Sequence, residues 1–408
     1  MSASNARPAT RPAVKIPTRI RGESELLPMV DWPMIAALAL ITMLGAVMIF
    51  SSSMPFAEKN YGDPFHFINR QLLFMVGGLI IAYLLFRFPL DDWERYGPLL
   101  LVTALLMLTL VLIPGIGREV NGSRRWLNLG FISVQVSEAV KLFIIVYLAG
   151  YLVRRSDKVK RDFGAFIRPL VLICLAGVLL ILEPDFGATV VIVLTAMGML
   201  FVGGVQFRQF LALILAFAGA GALLIWISPY RMKRLTSFLN PWADPYNDGF
   251  QLSQSLIAIG SGSWDGVGLG SSVQKLFYLP ESHTDFLFAV FAEETGLIGV
   301  LVLVALFSFV VWRCMDIAAK ADAVGNRFGG YVAVGIGIWV GLQAFINMGV
   351  NMGILPTKGI TLPMMSYGGS SIVIMCVTFS LLIRIDHETR VLNAARLKRL
   401  ASKKEART

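Results

Sequence analysis

Ten stretches of this chain stay apolar for about 17 to 27 residues, the length a helix needs to cross a hydrocarbon layer about 30 Å thick. They fall roughly at residues 33–52, 70–88, 97–114, 135–153, 168–183, 187–204, 209–228, 286–312, 329–353 and 367–385. None alternates apolar and polar positions in the short units of a transmembrane barrel. The pattern predicts an all-α polytopic membrane protein with about ten transmembrane helices and one large outside loop, residues 228–284, between helices 7 and 8. The first run is too long for a signal-peptide core and lacks a small-residue cleavage site, so it reads as a retained helix. No internal repeat or low-complexity array is visible.

Composition agrees: 56% of residues are hydrophobic and 15% charged, against about 25% charged in globular domains. The net charge of +10 would suit a nucleic-acid partner, but its distribution excludes one. With the amino terminus inside, about 25 of the 36 lysines and arginines fall on inside segments and about 10 on outside loops. That bias places both termini in the cytoplasm. Residues 1–31, rich in Pro, Ser and basic side chains, read as a disordered basic arm. Residues 32–386 form the transmembrane domain, and 387–408 a basic tail open to either membrane-surface or partner contact or plain solvation. Cys174, Cys314 and Cys376 are scattered through apolar segments without metal-like spacing and read as packing residues.

The outside loops carry the candidate chemistry. Arg124 and Arg125 beside Trp126 suit either a guanidinium clamp on an anionic headgroup or an interfacial anchor. Glu138 and Lys141, three apart on the fourth helix, share a face and can neutralise one another in the membrane. Pro184 and Gly187 make a tight turn that brings Glu183 and Asp185 to the outer side, as acidic partners or as turn carboxylates. The 228–284 loop is far longer than the others, and such connections are usually functional. Its Arg231, Lys233 and Arg234 suit a phosphate, and Gln251, Gln254 and Ser255 on a short amphipathic helix suit sugar hydroxyls or amides. Glycines 260, 262, 266, 268 and 270 lack the Lys-Ser/Thr of a nucleotide loop and are expected to bring backbone close to a bound headgroup. Lys275 and His283 complete that loop as further candidate contacts to the headgroup. Pro356 and Pro363 bound a segment of re-entrant character, to which Lys358 adds a further cation.

The chain is organised around Tyr278–Glu294, a polar run that opens directly into the eighth apolar helix. Carboxylates are costly there, so Asp285 at the mouth and Glu293 and Glu294 about 12 Å further along each need a reason. The helical angle separates them, leaving Asp285 as the reactive candidate and the glutamates as buried partners. One carboxylate beside several cations fits glycosyl transfer from a lipid diphosphate. A base takes the acceptor's proton, and cations hold the leaving diphosphate without an acid. Glycosidases, whose leaving group must be protonated, need two carboxylates.

From about residue 31 to 390 the sequence resembles the SEDS family (shape, elongation, division, sporulation). The resemblance is carried by Arg124-Arg-Trp-Leu, Gln135-Val-Ser-Glu-Ala-Val-Lys, Glu183-Pro-Asp-Phe-Gly, Thr236-Ser-Phe-Leu-Asn-Pro-Trp, Gly268-Leu-Gly-Ser-Ser-Val-Gln-Lys, Tyr278-Leu-Pro-Glu-Ser-His-Thr-Asp-Phe and Leu355-Pro-Thr-Lys-Gly-Ile-Thr-Leu-Pro. Asn240-Pro-Trp, Leu355-Pro-Thr-Lys and Arg384-Ile-Asp-His-Glu-Thr-Arg favour the cell-division branch over the elongation branch. The resemblance implies a peptidoglycan glycosyltransferase that polymerises lipid II at the septum, on the outer face of the bacterial cytoplasmic membrane, with Asp285 matching the catalytic aspartate. It implies a class B penicillin-binding protein and the FtsQ–FtsL–FtsB subcomplex as partners, and no organic cofactor. A divalent cation, Mg or Mn, at the diphosphate is a further expectation, its ligands unassigned. The sequence departs from the family pattern at Glu183, where Gln is usual, and at Val136, where Pro is usual. A lipid II flippase and a non-catalytic scaffold for the transpeptidase are the alternatives. Against a flippase, the polar residues crowd on one side, whereas alternating-access transporters bind at the midplane between inverted repeats.

Overall fold

The computed structural model describes residues 30–120, 123–128, 130, 133–247, 249–356 and 359–406. The proposed arm at residues 1–31 therefore lies almost wholly outside the described residues. All ten apolar stretches are helical: α1 (Trp32–Tyr61), α2 (His66–Phe86), α3 (Leu90–Leu112), α4 (Val136–Arg161), α5 (Phe163–Leu182), α6 (Phe186–Val202), α7 (Phe207–Ile227), α10 (Leu287–Val324), α11 (Arg327–Asn351) and α12 (Gly369–Glu405). Nine are long and apolar enough to cross a membrane, and α6, at 17 residues, is the shorter tenth. Two further helices, α8 (Pro229–Leu239) and α9 (Phe250–Ser261), lie in the 228–284 connection.

Successive spans reverse direction, so the connections α1–α2, α3–α4, α5–α6, α7–α10 and α11–α12 gather at one end, the loop face. The most enclosed spans are α4 and α11, with 83% and 78% of their apolar windows buried. α7 buries none of its window and packs mainly on α6 and α8. Outward residues such as Leu73, Leu215 and Trp226 are exposed, as lipid-facing side chains should be.

The polar stretch after α3 folds into a small antiparallel sheet, β1 (Gly117–Val120), β2 (Ser123–Asn128) and β3 (Ser133–Gln135), which the sequence pattern did not predict. Its strands are three to six residues long, too short for their alternation to stand out.

α10 breaks its helical geometry at Gly296 (φ 64°, ψ −167°). Residues 263–268 run alongside the break and repair its hydrogen bonding. Leu297 N donates to Ser263 O, Ile298 N to Trp264 O, and Val267 N to Glu293 O, at 2.9–3.1 Å. A methyl at Gly262 or Gly266 would lie 2.1 or 2.2 Å from a carbonyl oxygen of Ala292 or Glu294. These glycines, expected to admit a headgroup, instead admit α10. The stretch is a close backbone contact within the protein.

Residues 359–368, expected to be re-entrant, fold back into the helix bundle without helical structure. Ile360, Leu362 and Met365 are buried, and Gly45, near the middle of α1, has no room for a methyl because Met365 backbone atoms lie within 2.8 Å of where it would sit. Gln71 of α2 accepts from Gly368 N at 3.2 Å, and Tyr367 N donates to His283 O at 3.0 Å. Non-helical backbone at this depth is tolerated because protein covers it and satisfies its polar groups.

Candidate active site

Asp285 sits on the loop face in a tight turn just before α10. Thr284 N and Phe286 N both donate to Glu281 O at 3.1 Å, and Thr284 Oγ1 donates to a Glu281 carboxylate oxygen at 2.7 Å. Two asparagines of α11 reach the same turn: Asn347 Nδ2 and Asn351 Nδ2 donate to the Asp285 carbonyl at 2.9 and 3.1 Å. Among the described residues no hydrogen bond reaches the Asp285 carboxylate. Burial pushes this carboxyl up to about 7; the charges of Glu281 and Asp185 push the same way, and Arg125 and Arg234 oppose them. The turn that follows α5, the strand β2 and the helix α8 therefore all present charge to this one group.

The α5–α6 turn is held from both sides. Asp185 caps α6, its Oδ1 accepting from Ala188 N at 3.1 Å, and Arg125 donates to the carbonyls of Glu183 and Pro184 at 3.3 and 2.5 Å. Glu183 is fully buried, and among the described residues neither of its carboxylate oxygens has a hydrogen-bond partner. Burial raises its carboxyl to about 8, with Asp185 adding and Arg125 subtracting. It is predominantly a neutral acid at pH 7, close in shape to the glutamine usual in the family.

Several expected ligand residues have other work. Arg124 and Arg125 are adjacent on β2 and so point to opposite faces. Arg124 pairs with Glu119 at 3.0 Å while Arg125 staples the α5–α6 turn, so they do not together fork one phosphate. Trp126, half-buried, sits in the middle strand opposite Arg118 and Gln135. Lys141 and Glu138 form a 2.7 Å ion pair inside the bundle, and Lys141 also donates to Gln343 of α11 at 2.8 Å. This pair, whose spacing fits a structural ion pair better than a substrate contact, joins α4 to α11. Lys275, expected to meet a headgroup, is 5% exposed and bonds Glu294 and Ser51 at 2.8 and 2.9 Å. Glu293 accepts from Ser272 Oγ and, at 3.1 Å, from Val273 N. Both glutamates are buried structural partners, as their separation from Asp285 implied.

On the exposed side of α9 lies Gln251, with Gln254 half-buried; the inner side donates from Ser255 Oγ to Asn351 O at 2.9 Å. His283 packs among Phe56, Phe67 and Tyr367, with ring centroids 4.6–5.8 Å away, and burial lowers its pKa. Lys358 and the Arg231 side chain lie outside the described residues. The sequence reading passed over Gln343, Asn347 and Asn351, although amides at every fourth position of an apolar span are a legible signal. Among the described residues no three His, Cys, Asp or Glu side chains come together to hold a metal ion.

Comparison with known proteins gives one consistent answer. Residues 31–391 match the FtsW/RodA/SpoVE family model, described as a cell cycle protein. A probable peptidoglycan glycosyltransferase FtsW of Nitrosococcus halophilus is 54% identical over 370 residues, covering 90% of this chain and 95% of its own. Its counterpart from Thioalkalivibrio sulfidiphilus is 55% identical over 346 residues, covering 85% and 86%. Among solved structures, a chain of a peptidoglycan synthase complex that coordinates polymerization and crosslinking superposes with a TM-score of 0.74 at 28% identity, covering 89% of this chain and 99% of its own. The rod shape determining protein RodA of Thermus thermophilus gives 0.65 at 27% identity, with 89% and 98% covered. Motifs, ten-helix fold and nearly full-length match converge: this chain belongs to the FtsW/RodA/SpoVE family of cell cycle proteins.

Proposed function

We propose that Asp285 is the general base of a peptidoglycan glycosyltransferase of the cell-division branch. The single observation that carries this reading is a carboxyl set in the hydrogen-bonded turn before α10 at the loop face, acted on by the charges of Arg125 and Arg234 and pushed up by burial to about 7. A base is most useful when its pKa lies near the working pH. Asp285 takes the proton from the acceptor sugar hydroxyl as the new bond forms between that oxygen and the donor's anomeric carbon. The bond from that carbon to the phosphate oxygen breaks, and the lipid diphosphate leaves with the bonding electrons. Arginine charge beside the carboxyl favours that departure.

The substrate is lipid II, entering from the bilayer. The loop face is the extracytoplasmic one, supported by the excess of Lys and Arg on the opposite connections, so both termini are cytoplasmic. The protein acts at the division septum beside a class B penicillin-binding protein and the FtsQ–FtsL–FtsB subcomplex. The likeness to a chain of a peptidoglycan synthase complex supports a crosslinking partner.

The test uses the full chain, purified with its transpeptidase and supplied with labelled lipid II. Wild type makes glycan strands, and Asp285→Asn makes none while melting at the wild-type temperature. Polymer from Asp285→Asn at the normal rate removes the base assignment. Headgroup translocation in liposomes, with no polymer from wild type, would replace the enzyme reading with the transporter one.

A further inference from the structure

Beyond Arg327, α11 carries no charged side chain, and its amides Gln343, Asn347 and Asn351 are spaced four residues apart and so about 6 Å apart along one face. All three are at most 2% exposed. An amide removed from water is costly unless hydrogen-bonded, and all but one of the bonds these amides donate reach the irregular backbone of the loop face. Gln343 Nε2 donates to Thr361 O at 3.0 Å. Asn347 Nδ2 donates to Ile360 O at 2.6 Å and to Asp285 O at 2.9 Å. Asn351 Nδ2 donates to Asp285 O at 3.1 Å and to Asn347 O at 2.8 Å. A primary amide has two protons, so both asparagines are fully used as donors. Their Oδ1 atoms have no partner among the described residues. The arrangement works in one orientation only, because a flipped amide would set oxygen against carbonyl oxygen.

The two carbonyls bound by Asn347 belong to segments outside any helix or strand: the 281–286 turn, and the 359–361 stretch against which the Asp285 carboxylate packs. We infer that Asn347 and Asn351 are positioning residues, a pair of amides that clamps the Asp285 carbonyl and locks the turn to the 359–361 backbone, so that the carboxyl is aimed before substrate arrives. The inference rests on Asp285 being the base. Aiming error of about 1 Å is worth up to about 100-fold in rate, which is what the clamp prevents.

The experiment replaces Asn347 by Leu, which keeps the shape and deletes the donors, and measures polymerisation of labelled lipid II by the full chain with its transpeptidase across pH 5.5–9. The expected result is a 10- to 100-fold fall in kcat, KM within about twofold of wild type, and a displaced acid limb of the pH profile. Asn347→Asp, isosteric but with at most one donor for the two carbonyls, should also be impaired. A packing role alone would lower the melting temperature and leave specific activity and pH profile of the folded fraction unchanged. Wild-type kcat and an unshifted limb for Asn347→Leu, with Asp285→Asn inactive, would overturn the clamp and spare the base. Activity in Asp285→Asn would instead overturn the base itself. Should Asn347→Leu fail to fold, Asn351→Leu removes one of the two bonds to the same carbonyl and answers the same question.

Discussion

Gly359 lies so close to Asp285 that a methyl group on its Cα would come within 2.7 Å of Asp285 Oδ2. The atom it meets is the free end of a side chain, so the chain can yield by turning the carboxylate away. Gly359→Ala should therefore leave the melting temperature within a few degrees of wild type while lowering the polymerisation rate by about 10-fold or more. Matched thermal melts and lipid II polymerisation assays check this. A large loss of stability, with activity per folded molecule retained, would show that backbone yields instead.

The elevated carboxyl of Asp285 fixes the sign of its pH dependence. A general base works ionised, so kcat/KM should rise as pH climbs through about 7 and level off above it. Glu281 contributes to the elevation by like-charge repulsion. Glu281→Gln removes that charge, so the acid limb should move to lower pH. A pH–rate series on the two proteins is the measurement; a limb that moves upward in Glu281→Gln would contradict the electrostatic account.

Lys275 and Glu294 are paired at 2.8 Å with side chains 3% and 0% exposed. Removing one partner of such a pair leaves an uncompensated buried charge and costs about 3–5 kcal/mol. Lys275→Met should thus lower the melting temperature sharply, and the double change Lys275→Met with Glu294→Gln should recover part of the loss. Equal melting of the single and double variants would mean that the lysine stabilises by something other than neutralising Glu294.

Much of this architecture was legible in the sequence because burial in lipid demands continuous apolar runs, and all ten runs are helices. Their ends were less legible. α1, α10 and α12 extend to Tyr61, Val324 and Glu405, well past their apolar stretches, because a helix already nucleated continues through polar residues of good propensity. Asp285, Glu293 and Glu294 stood out because a carboxylate at membrane depth needs a partner or a task. Which of the two each has depended on what folds against it, and spacing alone does not bring Lys275 to Glu294 or Arg125 to Pro184. Likewise, a string of glycines shows where a Cβ is missing but not what approaches. Gly262 and Gly266 face α10, not a ligand.

Glu183 offers a test on stability, separate from catalysis. Its folded carboxyl is raised from an ordinary 4.5 to about 8, so the folded state holds a proton that the unfolded chain would release. The sign follows from linkage. Below pH 4.5 both states are protonated and the residue is neutral to stability. Between 4.5 and 8 the unfolded state loses its proton first, and folding is penalised increasingly, by about 1.4 kcal/mol per pH unit at most. Above pH 8 both states are ionised and the penalty is constant. Glutamine has the same shape with no proton to lose, so Glu183→Gln should melt with wild type near pH 4.5 and increasingly above it as pH rises to 8, the gain levelling off beyond. Thermal melts in detergent at pH 4.5, 6, 7 and 8.5 read this directly. Because Asp285 and not Glu183 takes the acceptor's proton, polymerisation by Glu183→Gln at pH 7.5 should stay within about threefold of wild type. A stability gain that shrinks with rising pH would mean that the buried carboxyl is ionised and held by a partner after all.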